Sequence, residues 1–193
     1  MNAGESDVKR DSRWRTPLFW LLSTASLPPA GLLAKSVAGS VDDPGSGAIA
    51  GAIAGTVIGA ARWLVLRNRV ANAGWWIPAT GAGLAAGLAT GTAAVDARTG
   101  GADLAISGAI AGLTIGALQY LVLRGTTARA PAWIPAMAAS WSIGWLITWA
   151  IGVDVESGWS NFGAAGAVVF GALTGLVLMQ LLPQATPSTP AAS

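Results

Sequence analysis

Residues 47–67 read GAIAGAIAGTVIGAARWLVLR, and residues 104–124 read LAISGAIAGLTIGALQYLVLR, the same segment met again 57 positions on. In the first copy Gly47, Gly51, Gly55 and Gly59 recur at every fourth position. On a helix that spacing holds them in one slowly drifting stripe. The residues between are mostly Ala, Ile and Val, Trp63-Leu64-Val65-Leu66 follows, and Arg67 ends the apolar run. About 20 apolar residues is the length that crosses a hydrocarbon core of about 30 Å. A glycine stripe on such a helix leaves no side chain between it and a neighbouring backbone, so two helices can pack closely. The stretch predicts a membrane-spanning helix with a packing face.

Composition carries the same message to the rest of the chain. Of 193 residues, 53% are hydrophobic and 10% charged, far from the roughly one-quarter charged fraction of soluble domains. The mean hydropathy is +0.56. There is no cysteine, which excludes a disulfide framework, a thiolate metal site and a dithiol redox motif. There is no histidine either, which removes the commonest general base, metal ligand and haem ligand. The pI near 9.7 comes from 11 basic against 9 acidic residues. In a membrane protein this is loop charge, and no nucleic-acid partner is expected from it.

Six spans are predicted, at about 17–38, 45–66, 74–95, 104–123, 131–153 and 161–182. Residues 1–16 read as a cytoplasmic N-terminal segment, 17–182 as the transmembrane domain, and 183–193, rich in Pro, Ser, Thr and Ala, as a disordered cytoplasmic tail. Pro28-Pro29 predicts a kink or break in the first span. A basic stretch before an apolar run also fits a signal peptide, but the charge pattern requires that span to be retained. Lys9, Arg10, Arg13 and Arg15 precede the first span, Arg67 and Arg69 follow the second, and Arg124 and Arg129 follow the fourth. The intervening loops carry Asp42 and Asp43, then Asp96 and Asp103 with Arg98, then Asp154 and Glu156. Basic and acidic loops alternate, so the positive-inside rule places both termini in the cytoplasm of a plasma (inner) membrane protein.

Residues 48–87 align with 105–144 without a gap, with 22 identities in 40 positions. Two passes per unit restore the starting orientation, so the copies run parallel about an axis along the membrane normal. A fainter third copy is read from Gly171-xxx-Gly175, which matches Gly112-xxx-Gly116, and from Phe19-Trp20, which parallels Trp75-Trp76. The fold class expected is an all-α polytopic bundle of six transmembrane helices, arranged as three repeated helical hairpins with diverged outer elements.

Residues 112–124, GLTIGALQYLVLR, resemble the GxxxGxxQWLVLR element repeated in uncharacterised bacterial multi-pass membrane proteins. The resemblance covers residues 47–144 well and the rest weakly. The first copy departs from it at Arg62, where the pattern has glutamine. What it implies is a membrane fold of repeated hairpins, with no activity or site carried over.

The candidate site residues fall into four groups. Small-residue stripes occur in every span. The strongest are the four glycines already named, Gly108, Gly112 and Gly116, and Gly171 and Gly175. They predict helix packing, with a narrow backbone-lined pore as the rival reading. Trp14, Trp20, Trp63, Trp75, Trp76 and Trp133 lie near the cytoplasmic ends of their spans, where an interfacial aromatic belt accounts for them. Trp141, Trp145 and Trp149 instead form a ridge at membrane depth. It is read as packing into a glycine groove or facing lipid, and alternatively as a platform for a lipid, quinone or pigment.

Arg62, its repeat partner Gln119, and Gln180 suggest a polar layer able to grip an anion. Snorkelling of Arg62 to the headgroups is the simpler account. The loop carboxylates read as solvated. Enzyme chemistry finds no nucleophilic set and no P-loop, so no catalytic residue, metal or cofactor is expected. The functional expectation is a non-enzymatic scaffold or accessory subunit. Its partners would be the lipid bilayer and other membrane subunits or a second copy. A small transporter or channel, and a lipid-, quinone- or pigment-binding protein, are the alternatives.

Overall fold

The computed structural model describes residues 16–153 and 161–182. Expectations about the basic N-terminal segment with Trp14, about Asp154 and Glu156, and about the C-terminal tail fall on residues outside these. Among the described residues the chain is built of six α-helices: α1 (Thr16–Ala38), α2 (Pro44–Leu66), α3 (Trp76–Ala94), α4 (Gly101–Leu123), α5 (Trp133–Ala150) and α6 (Ala164–Leu181).

The start of α2 is set by a capping box. The Asp43 carboxylate accepts from the Gly45 and Ser46 amides at 2.6 and 3.1 Å, and the Ser46 hydroxyl accepts from the Asp43 amide at 3.2 Å. Pro44 takes the first helical position, where its missing N–H costs nothing. The Ser46 amide, then the Gly45 amide, holds the Asp43 carboxyl below its usual pKa by stabilising the charged form. In α1 the interruption expected at Pro28-Pro29 falls just before the prolines. The chain tightens into a 3-10 turn at Thr24–Ser26, and the prolines become first-turn residues of the α-segment that follows. The Ser23, Thr24 and Ser26 hydroxyls donate to the carbonyls of Trp20, Leu21 and Ser23 at 2.6, 2.5 and 2.7 Å, supplementing the backbone bonds there.

Glycine decides how the helices meet. Along α2, Gly51, Gly55 and Gly59 face Leu84, Thr80 and Ile77 of α3, and a Cβ on Gly55 would lie 2.6 Å from the Thr80 carbonyl oxygen. Along α4, Gly108, Gly112 and Gly116 face Trp141, Met137 and Ile134 of α5. Each of these contacts lies 57 positions beyond its counterpart in the first hairpin. Gly47 continues the α2 seam against Leu88. Between the hairpins, Gly83 and Gly87 of α3 meet Ile115 and Ala111 of α4, where the Thr114 hydroxyl donates to the Gly83 carbonyl at 2.9 Å. Gly166 of α6 meets Gly144 and Thr148 of α5. Gly171 and Gly175 then meet Thr24 and Trp20 of α1, so the chain closes into a ring of helices.

Along the seams small residues face inward and many large apolar ones face outward, although Trp20, Trp76, Trp133, Phe162 and Phe170 are buried inside. Ala50, Gly51, Ala54 and Gly55 are buried, whereas Ile49, Leu64, Leu113, Leu121 and Leu176 are exposed. That inversion suits a lipid surround, where close approach of backbones rather than burial of large side chains joins the helices. Four helices, α1, α2, α4 and α6, are long and apolar enough to cross a membrane. In α3 and α5 the apolarity is diluted by glycine and threonine in one, and by tryptophan, serine and threonine in the other. Arg67, Arg69, Arg124 and Arg129 gather at one end of the bundle, and Asp42, Asp43, Asp96 and Asp103 at the other. Arg98, at the aspartate end, is flanked by its counterions at 3.2 Å from both Asp96 and Asp103.

Candidate functional site

Two of the residues with unpaired buried polar atoms, Arg62 and Trp76, meet on the bundle axis, in its arginine half. Trp20 lies in the first turns of α1, while Trp76 and Trp133 open α3 and α5 after the 3-10 turns Ala73–Trp75 and Ala130–Ala132. All three are fully buried. Their ring centroids are 6.2, 6.1 and 6.0 Å apart, a nearly equilateral triangle with edge-on and tilted contacts. Aromatic pairs at this separation attract beyond the area they bury. The interfacial belt expected of these three is therefore corrected. Trp75 does face outward, 68% exposed. Its neighbour Trp76 is turned about 100° around the helix and points to the axis.

Arg62 reaches the same place. Its guanidinium carbon lies 4.6 Å from the Trp20 ring centroid and 4.7 Å from that of Phe170, and the residue is 1% exposed. Snorkelling is thus also corrected, for a geometric reason. Side chains on a helix lean toward its N-terminus, and the N-terminus of α2 is at the aspartate end. Arg62 therefore leans inward, away from Arg67. Its Nε and Nη2 groups have no hydrogen-bond partner among the described residues.

Gln119 sits 57 positions later, fully buried. Its amide donates to Thr80 Oγ1 at 2.9 Å, and its Oε1 accepts from Trp133 Nε1 at 2.8 Å. Trp20 Nε1 donates to Thr174 Oγ1 at 3.0 Å. Trp76 Nε1 has no partner among the described residues, and the reason is legible. The position that offers Trp133 an amide oxygen is Arg62 in the first hairpin, and a guanidinium has no acceptor.

Of the polar layer expected from Arg62, Gln119 and Gln180, the structure brings the first two to the tryptophan triangle and leaves Gln180 exposed on the outer surface of α6. Thr174 is the α6 residue that joins the triangle, and sequence reasoning missed it. Placing Gly171 and Gly175 over Gly112 and Gly116 sets Leu178, not Gln180, opposite Gln119, and Leu178 is buried.

The ridge of Trp141, Trp145 and Trp149 divides. Trp141 and Trp145 are buried under Phe162, at 4.7 and 5.7 Å between centroids, and Trp141 also meets Phe170 at 5.5 Å. Trp149 is half exposed and covers Gly101, while Gly108 receives the Trp145 ring. A ridge packed between glycines on one side and phenylalanines on the other is occupied by the protein itself.

The fold and site together define a class: an all-helical chain, with helices fit to cross a membrane, whose axis holds three tryptophans and one buried cation. No protein-family model, curated protein or solved structure matches this chain.

Proposed function

We propose that the protein is a non-enzymatic integral membrane protein, serving as a scaffold or accessory subunit of a membrane complex. On this reading six spans form three hairpins, α2 with α3, α4 with α5, and α6 with α1, about a pseudo-threefold axis along the membrane normal. The constant offset of 57 between the glycine contacts of the first two hairpins and the tryptophan triangle support it. The alternation of arginine and aspartate ends supports cytoplasmic termini in the plasma (inner) membrane.

The observation that carries the scaffold reading is the filled axis. Trp20, Trp76, Trp133 and Arg62 occupy, with full burial, the place where a conducting path along the bundle would run. Crosslinking in cells followed by purification in mild detergent tests it. A stable partner or a defined homo-oligomer is expected, and a chain that runs strictly alone sinks the idea.

A second reading, a small transporter or channel, draws on the unpaired donors of Arg62. Flux into liposomes that is lost in a folded Arg62→Gln variant would replace the first reading with this one. The lipophile platform at Trp141, Trp145 and Trp149 is the reading the geometry favours least, because Phe162 and Phe170 already cover it.

A further inference from the structure

Two surface grooves open at the arginine end; much of their lining corresponds, but their arginines stand on opposite walls, Arg124 after α4 and Arg129 before α5. One, of about 460 Å³, lies between the start of α3 and the end of α4, where Asn72, Trp75, Pro78, Leu118, Leu121 and Arg124 line it. The other, of about 400 Å³, lies between the start of α5 and the end of α6, where Arg129, Pro131, Ala132, Val177, Gln180 and Leu181 line it. Asn72 and Arg129, like Trp75 and Ala132, stand 57 positions apart. Each groove has an apolar floor and an exposed arginine at its mouth. No acidic residue stands at this end among the described residues.

We propose that each groove holds one anionic phospholipid of the leaflet at the arginine end. The phosphate would sit against Arg124 or Arg129, and an acyl chain would lie along Leu118 and Leu121 in one groove or Val177 and Leu181 in the other. Charge decides the lipid class. A zwitterionic headgroup gains the same apolar contact but offers the guanidinium no net negative charge. Size decides against a partner helix. The α4 side of the first groove, Leu118 to Gly125, is about two helical turns long, enough for a chain of methylenes and too short for a stable interface with a partner helix. Trp75, half in the groove and 68% exposed, has the amphipathic shape that favours the boundary between headgroup and acyl region. The inference is independent of whether the scaffold or the transporter reading holds.

The test is native mass spectrometry of the purified full chain titrated with phosphatidylglycerol or phosphatidylcholine. Two phosphatidylglycerol sites are expected, each about fivefold tighter than for phosphatidylcholine, the factor one arginine adds near an anionic headgroup. Arg124→Ala should erase that preference at one site, and the double variant Arg124→Ala/Arg129→Ala at both. Arg69→Ala, at the same end but outside either groove, should leave both. Ala79→Trp should fill the first groove and reduce the stoichiometry from two to one. A thermal melt like that of the wild type confirms that each variant is folded. Equal binding of the two lipids would overturn the proposal. So would an equal effect of Arg69→Ala and Arg124→Ala, or displacement of the lipid by millimolar inorganic phosphate.

Discussion

Arg62→Gln is expected to stabilise the protein, although it removes two aromatic contacts to a cation. The guanidinium lies within 4.7 Å of two ring centroids, and each such contact contributes about 0.5–2 kcal/mol. Against this stand two buried N–H donors without acceptors on Arg62 and a third on Trp76, each costing about 1–3 kcal/mol. Desolvation of the charge adds to the cost, because in the unfolded chain Arg62 is free to reach water. The second hairpin shows what an amide does at this position. There Gln119 accepts from Trp133 and donates to Thr80. The corresponding groups around position 62 are the unpaired Trp76 Nε1 and the hydroxyl of Thr24, which follows Trp20 by four residues as Thr80 follows Trp76. The balance favours glutamine by about 2 kcal/mol, roughly thirtyfold in the folding equilibrium.

Reversible unfolding in mixed micelles, followed by tryptophan fluorescence against the mole fraction of dodecyl sulfate, measures this directly. Arg62→Met separates the terms. It removes the charge but supplies no acceptor for Trp76, so it should gain about 1 kcal/mol less than the glutamine variant. If Arg62→Gln is instead less stable than the wild type by about 1 kcal/mol or more, the charge is not an uncompensated cost and the reasoning fails.

Three further outcomes are expected. Gly112→Leu places a Cβ 2.5 Å from the Met137 carbonyl oxygen, a backbone atom that cannot swing aside, and should destabilise by about 3 kcal/mol or more. Gly74→Ala, with no atom within 4 Å, should change unfolding by less than about 0.5 kcal/mol; similar losses in the two would show that the glycine seams are not close-packed. Gln119→Leu leaves Trp133 Nε1 unpaired and removes the bond to Thr80. The expected loss is about 2 kcal/mol, and an unchanged midpoint in the same titration would show that the bonds contribute nothing. Asp43 titrates below its usual 3.8 because backbone amides stabilise the carboxylate. A depressed folded-state pKa gives stability that is present above the unfolded pKa and lost as pH falls through the folded one. Melts should therefore be flat from neutral pH down to about 5 and weaken below 3.8, and Asp43→Ala should lack that acid-sensitive part.

The helices were legible because two signals agree over most of the chain, apolar run length and the arginines or aspartates in the loops between runs. The α2 and α4 boundaries differ from the sequence reading by at most three residues. What escaped was direction around and along each helix. Trp20, Trp76 and Trp133 sit at the depth of an interfacial belt but on the inner face, and depth alone cannot separate Trp76 from the outward Trp75. Periodicity gives little help in a membrane bundle, where the outside is as apolar as the inside. The inward lean of Arg62 was derivable, since an arginine near the C-terminal end of a helix points back toward its middle. Gln180 misled because it was placed by its level near the cytoplasmic end of its span rather than by the glycines of α6. Those glycines set the register at Leu178.

The proposed threefold arrangement explains why the hairpins agree where they do and differ where they must. The glycines of the seams and the tryptophans of the triangle are uncharged, and their packing can be repeated around an axis. A cation cannot. The tryptophan rings repeated around this axis lie about 6 Å apart, which sets the scale for charges placed in the same layer. At that distance two guanidiniums repel by about 3 kcal/mol even with an effective dielectric of about 20. Three would repel by about 8 kcal/mol in all, comparable to the whole margin of about 5–15 kcal/mol by which a domain folds. The three equivalent positions carry Arg62, Gln119 and Leu178, one charged, one polar and one apolar. On this argument a single arginine is the most that the axis accepts. Converting Gln119 to arginine while Arg62 is present should therefore be far more disruptive than Gln119→Leu, and Arg62→Gln in the same chain should restore most of the loss.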